Sequence, residues 1–244
     1  MDDPTRHLVE PTPVDPTVEH GYANPLDVLD ILSPTGWVNY GIMELTGVNV
    51  LVSLVQPLSG NWLAFSRFGD ALRNLAPCAQ DIGVNIQRAT LRVDQAWHGN
   101  ANDAAHMHFT EIAARTSALQ HLLREAATSY EDMARGMWLL AQQMANILQS
   151  IIDEFLIVSL LLAGGAALIE TGVGTVAAWG LAAWRVGRIL QLLSRASAII
   201  QTGGLIILTF TSFIVEAEAR LGDLDKAGFP IEPYDHPAVD WRER

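Results

Sequence analysis

Trp97-His98-Gly99-Asn100-Ala101 decides how the chain is read, because it is the one obvious break between two long runs of apolar residues at helical spacing. Upstream, Phe65, Phe68, Leu72, Leu75, Ala79, Ile82, Ile86, Ala89 and Val93 recur at alternating steps of three and four, which keeps them on one stripe of a helix. Downstream, Ala105, Phe109, Ile112, Thr116, Leu119, Leu123, Ala126, Tyr130, Met133, Met137, Leu140, Met144, Ile147 and Ile151 continue that alternation for about seven heptads. Two such seams joined by a few residues cover each other as antiparallel neighbours. Gly99 admits a backbone conformation closed to other residues, and Asn100 or Asn102 is placed to cap the second helix. The indole of Trp97 then has a groove to fill at the hairpin's end, fixing the turn by packing on both helices. Pro77 removes a hydrogen bond and crowds the preceding turn, so it predicts a kink near Ala76 or two shorter helices.

Composition agrees with an all-α fold. Half of the 244 residues are hydrophobic, 17% are charged and only 7% are aromatic, which suits closely packed helices. The net charge of −12, with Lys226 the single lysine, repels phosphates and argues against nucleic acid as a partner. Cys78 stands alone, so no intramolecular disulfide forms and packing must hold the chain together.

The residues Trp97-His98-Gly99-Asn100-Ala101, followed by Ala104, Ala105 and Phe109, resemble the WXG100 family, helical-hairpin substrates and partners of type VII secretion in actinobacteria and firmicutes. Leu45-Thr46-Gly47, Ser59-Gly60-Asn61-Trp62, Gly69-Asp70-Ala71-Leu72-Arg73-Asn74-Leu75-Ala76 and Glu170-Thr171-Gly172-Val173-Gly174 are similar to the enlarged WXG100-like regions that open actinobacterial polymorphic toxins. The resemblance spans roughly Pro25 to Ala219, with the Trp-x-Gly turn its most specific motif. It implies that Trp97 and Gly99 form half of a composite surface read by the secretion machinery. The family's tyrosine followed four residues later by an acidic residue is missing, since Tyr130 is followed at that spacing by Ala134 and Tyr234 by Ala238. An export signal supplied by a partner fits that departure.

Around the hairpin, assigned to 59–154, the chain divides by composition. Residues 1–24 carry Pro4, Pro11, Pro13 and Pro16 without a basic start or apolar core, which predicts a disordered or extended arm rather than a Sec signal peptide. Residues 25–58 are apolar but broken by Pro34, Gly36, Gly41, Gly47 and Pro57, and short helices there are expected to pack on the hairpin. Residues 155–220 form a hydrophobic helical region that extends the hairpin into a bundle, and 221–244, with Pro230, Pro233 and Pro237, read as a polar tail.

Within that hydrophobic region, Phe155–Ile169 and Thr171–Trp184 are uncharged runs on either side of Glu170, and Ala196–Val215 is a third. A bilayer span needs roughly 20 apolar residues, so the last run qualifies by length and the first two only if Glu170 is tolerated. A soluble bundle with half-buried helices and a membrane-inserting or pore-forming segment over 155–215 both remain open. The second seam also outlasts the first, and its excess must be covered by 156–215 folding back, by 25–58, or by a second WXG100-like chain or copy in a four-helix bundle.

Chemistry-bearing groups are sparse. His106 and His108 point in different directions on a helix, His98, His121 and His236 have no partners at metal-ligand spacing, and no phosphate loop or nucleophile elbow is present. Glu125, Glu131 and Asp132 are expected to face water, paired with Arg124 or Arg135. The expectation is therefore recognition without catalysis, metal or cofactor. The partners would be a WXG100-like chain or a second copy, the type VII machinery and a separately encoded toxin, with a membrane as a further candidate. The route would run from the cytoplasm to the medium or cell envelope. The expected recognition residues are Trp97 and Gly99 at the turn, with Phe65, Phe68, Leu72, Leu75, Ile82, Ile86, Phe109, Ile112, Leu119, Leu123, Met133, Met137 and Leu140 on the packing seam.

Overall fold

A computed structural model describes residues 1–12, 50–167 and 173–226. Among these residues the fold is all-α. After a 3₁₀ turn at Pro4–His7 come α1 (Val50–Val55) running into a 3₁₀ turn at Gln56–Leu58, α2 (Trp62–Ala96), α3 (Asn100–Ala167) and α4 (Val173–Lys226). Two compact units can be distinguished, one of residues 1–16, 64–132 and 209–244, the other of 17–63 and 133–208.

In the first unit α2 and α3 form the antiparallel hairpin. Gly69 lies against Ala127 and Glu131, Gly83 against Ala113 and Ser117, and Asp94 against Asn102, so numbers rise along one helix as they fall along the other. Gly99 has φ +109°, the left-handed conformation the turn requires, and its carbonyl accepts from the amides of Asn102 and Asp103 at 2.8 and 3.1 Å. This corrects the expected side-chain cap. The helix already begins at Asn100, and the buried Asn102 side chain instead donates to Asp94 Oδ1 at 2.7 Å, tying the two helices together beside the turn.

The closest contact between the helices is made by small residues. Ser66, Gly69, Ala76, Gly83 and Thr90 are buried on α2, and Ala105, Ala113 and Ala127 on α3. A Cβ on Gly83 would sit 2.2 Å from Ser117 Oγ and 2.6 Å from the Ala113 carbonyl oxygen, so no larger residue fits there. Helices in such close approach leave no room for bulky side chains between them. The large apolar residues of the expected seam are displaced to its flank, where Phe68, Leu75, Ile82 and Phe109 stay exposed. Pro77 is accommodated inside one continuous α2 rather than dividing it in two.

The end of α4 caps part of that flank. Phe210 stacks edge-on with Tyr130 at 4.9 Å between ring centroids, Tyr130 meets Phe65 and Phe68 at 5.9 and 4.7 Å, and Arg220 Nη1 donates to Glu125 Oε2 at 2.8 Å. Each aromatic pair contributes about 0.5–1.5 kcal/mol beyond its burial. Residues 1–12 run along α2 as an extended strap. Asp2 pairs with Arg88, Arg6 and His7 with Asp81, and the Thr12 amide donates to Asp70. The expected arm is thus docked over its first twelve residues; residues 13–24 lie outside the described ones.

In the second unit α3 and α4 also run antiparallel. Met137, Met144, Leu148 and Ile151 are fully buried on α3, and Leu58, at the end of α1's 3₁₀ turn, is fully buried beside Gly203 of α4. This accounts for the described end of the 25–58 segment; residues 25–49 are outside the described ones. No break occurs at 154/155: α3 continues through uncharged Phe155–Ala167 despite Gly164 and Gly165, and α4 likewise runs past 220 to Lys226. Glu154, buried, is held by Arg185 at 2.7 Å and Arg188 at 3.2 Å. The outward face of α4 is left bare: Val176, Trp179, Leu181, Trp184 and Leu190 are all exposed.

Candidate functional site: an apolar groove at the hairpin tip

The distribution of large and small residues in the first unit produces a groove. Because α2 and α3 meet through glycine and alanine, their bulky apolar side chains line a flank that a third helix must cover. Near its C-terminal end α4 places Arg220 and Asp223 beside Ala118 and His121. Nearer the turn no described helix covers the flank. There Ile86, Val93, Trp97, Ala105, Phe109 and Ile112 enclose an almost wholly apolar cavity of about 400 Å³, with Thr90, Asn102 and His106 also on its walls.

Trp97 sits on the rim of this groove. Its amide still donates to the Val93 carbonyl at 2.9 Å, continuing the α2 ladder, yet the residue keeps 43% of its surface exposed and Phe109 keeps 40%. The indole therefore does not plug the hairpin as expected. The turn is fixed by Gly99 and by the Asn102–Asp94 hydrogen bond, which leaves the ring free to present a face outward. Exposed aromatic and aliphatic side chains converging on a concave surface are characteristic of a site for an apolar partner.

The remaining seam residues fall into three settings. Phe65 and Phe68 join the Tyr130–Phe210 cluster. Leu72, Ile86, Ile112, Leu119 and Leu123 are half-buried on the flank, whereas Leu75 and Ile82 are exposed. Met133, Met137 and Leu140 are buried in the second unit. The tip groove thus brings together Trp97, Ile86, Phe109 and Ile112, but not the others.

Electrostatic pairing also departs from expectation. Glu131 reaches across to Arg73 of α2 instead of facing water beside Arg135, and Glu125 is shared by Arg220 and His121. Burial raises the pKa of Glu131 above the ordinary glutamate value, an effect that the Arg73 charge and hydrogen bond only partly oppose. One Glu131 oxygen, Oε1, is buried without a hydrogen-bond partner among the described residues. His106 stands on the groove wall, and the His108 ring lies edge-on to Phe109 at 5.3 Å. Among the described residues no three His, Cys, Asp or Glu side chains converge to hold a metal ion.

The small-residue seam and Glu154's pair were the features that apolar periodicity passed over. Gly69, Ala76, Gly83 and Thr90 repeat every seven residues on α2, and Ala113 and Ala127 lie fourteen apart on α3. Heptads of small residues on both helices were the legible signal of close approach. Comparison with protein-family models, with curated proteins and with solved structures finds no match for this chain.

Proposed function

We propose that the protein is a type VII (ESX-like) secretion substrate, or the delivery or partner module of a toxin system, and that it acts by helical protein–protein recognition without catalysis. The reading rests on the Trp-x-Gly resemblance, and its main structural support is the half-exposed Trp97 on the rim of an open apolar groove. A tryptophan needed only to close the turn would be covered. A partner helix, from a WXG100-like chain or a second copy, would lay apolar side chains against Trp97, Phe109 and Ile86 and extend the hairpin toward a four-helix bundle. Export would take the chain from the cytoplasm to the medium or cell envelope.

The test is replacement of Trp97 by alanine in a host with an active type VII system. Because the ring is part-exposed, the variant should fold normally, and its amount in the culture filtrate should fall at least tenfold. Equal secretion of wild type and a folded W97A variant would remove the proposal.

A second reading is favoured by α4. The helix is long and apolar enough to cross a membrane, and only 6% of its most apolar 18-residue window is buried inside the protein. A helix apolar on nearly all sides and covered on one needs a second solvent or a partner. The alternative function is therefore a membrane-inserting effector that uses residues 155–215. Leakage from dye-loaded vesicles on addition of the purified protein is the expected result, and intact vesicles would remove it.

A further inference from the structure

The charges on α4 distinguish among the surfaces it can meet. Between residues 173 and 215 the chain has Arg185, Arg188 and Arg195 and no carboxylate, although the whole protein carries −12. Glu154 engages Arg185 and one edge of Arg188, whose side chain nonetheless stays 55% exposed. Arg195 forms no ion pair among the described residues.

Trp184, Arg188, Gln191 and Arg195 follow one another at steps of four, three and four, so they share one stripe of the helix. With Gly187 and Leu192 they wall a recess of about 420 Å³ of mixed polar and apolar character. The Trp184 ring lies 5.3 Å from the Arg185 guanidinium and 5.9 Å from that of Arg188, which steadies both cations against an aromatic face. Trp179, Leu181 and Leu190 stand exposed on the same helix. Indole rings and arginines beside exposed aliphatic side chains match the layered chemistry of a bilayer interface, where phosphates lie above acyl chains.

We propose that the Trp184–Arg188–Gln191–Arg195 stripe of α4 docks on the phosphate headgroups of an anionic lipid bilayer, while Trp179 and Leu190, eleven residues apart and so on one exposed stripe of the same helix, enter the interface. This rests on the membrane reading above and adds to it the lipid class and the residues that select it. The arginines supply charge complementarity that a zwitterionic surface does not repay. Guanidinium groups also pair with phosphate oxygens through two parallel hydrogen bonds.

The experiment is flotation of the full-length protein with vesicles of phosphatidylcholine alone and of phosphatidylcholine with roughly one quarter phosphatidylglycerol. Binding to the anionic vesicles should be at least about tenfold tighter. Arg195→Gln should weaken it about fivefold, and the R188Q/R195Q pair about 30-fold, with helicity by circular dichroism unchanged and binding to the neutral vesicles unaffected. Equal binding to both vesicle types, or an unaltered preference in the folded double variant, would overturn the headgroup assignment and leave the membrane reading standing. Displacement by inorganic phosphate beyond that caused by chloride of equal ionic strength would overturn it too, by assigning the recess to a free anion. Failure to float with either vesicle would remove the membrane reading itself and the inference with it.

Discussion

The hairpin of the first unit and the α3–α4 pair of the second are both antiparallel helices, yet they distribute their apolar surface in opposite ways. In the hairpin, Gly69 and Gly83 bring backbones together and the partner helix itself excludes water from the seam. In the second unit large residues of α3, with Met137, Met144, Leu148 and Ile151 fully buried, face α4 where it buries small ones such as Ala182, Ala196 and Gly203, while Val176, Trp179, Trp184 and Leu190 of α4 stay exposed. The hairpin completes itself along its seam and leaves an apolar groove near its turn. The second unit is complete only on one side. Both units thus keep uncovered apolar surface, the first as a groove near its turn and the second as an exposed helix face.

The sharpest way to break this comparison is to add one methyl group to each region. Gly83→Ala would place a Cβ 2.6 Å from a backbone oxygen of α3 that cannot swing aside, and should destabilise the protein by about 3 kcal/mol. Gly164→Ala on α3 of the second unit meets nothing within 4 Å and sits in a helix, so it should stabilise by about 0.5–1 kcal/mol. Urea titrations followed by circular dichroism read both. Similar effects of the two substitutions would mean that the hairpin is not closed by small-residue contact.

Glu154 tests the second unit from its polar side. Its carboxylate is buried and partly neutralises Arg185, whose Nε is itself buried without a hydrogen-bond partner among the described residues. Glu154→Gln should cost about 2–3 kcal/mol, less than a fully buried pair because Arg188 remains largely solvated. Adding Arg185→Met should recover most of the loss, since the stranded charge is then gone. If the double variant were no more stable than the single one, the pair would not be the unit that holds this level of α3 against α4.

The sequence shows the hairpin, its break and its all-α character because helical periodicity and a glycine with a positive φ are local properties. That the second seam outlasts the first was legible too, but not which of three covers it would find; in the second unit α4 folds back along α3. The phase of the seam was legible only in the small residues and not in the large ones. Counting large apolar residues favours Phe68, Leu75, Ile82 and Phe109, but which side of a helix faces its neighbour depends on how near the neighbour can come, and that is decided by Gly83 and Ala113. Cross-helix pairs such as Arg73–Glu131, 58 residues apart in sequence, depend on the register of α2 against α3, which no single helix records. Trp97 was picked out by its motif, while its 43% exposure depends on tertiary packing that no local pattern records.

Acid titration sharpens the comparison further, through a carboxylate inside the first unit. The pKa of Glu131 is raised in the folded state, first by burial, so folding favours its protonated form. Its contribution is fully present below the unfolded glutamate value near 4.5 and is lost as pH rises through the higher folded value. Glu131→Gln should therefore flatten the stability profile just above pH 4.5, and the variant should be less dependent on pH than wild type there. An unchanged slope would place the pH dependence elsewhere.

The smallest effect is expected at the strap, which titrates with the opposite sign. Asp2 is held below its ordinary value of 3.8, mainly by the hydrogen bond from Arg88 and then by that residue's charge. The attachment is present above the unfolded value and is lost as pH falls through the lower folded one. Because the pair is exposed, salt screens it and global stability should not register its loss. The signal lies in residues 1–12 instead. Asp2→Asn should speed proteolytic clipping of this segment at neutral pH, at an unchanged melting temperature, while the Asn85–Asp2 backbone bonds and the Arg6–Asp81 pair keep it partly docked. Clipping that is already fast in wild type, and equal in the variant, would show that the strap is not held by these charges and that α2 presents that face to solvent.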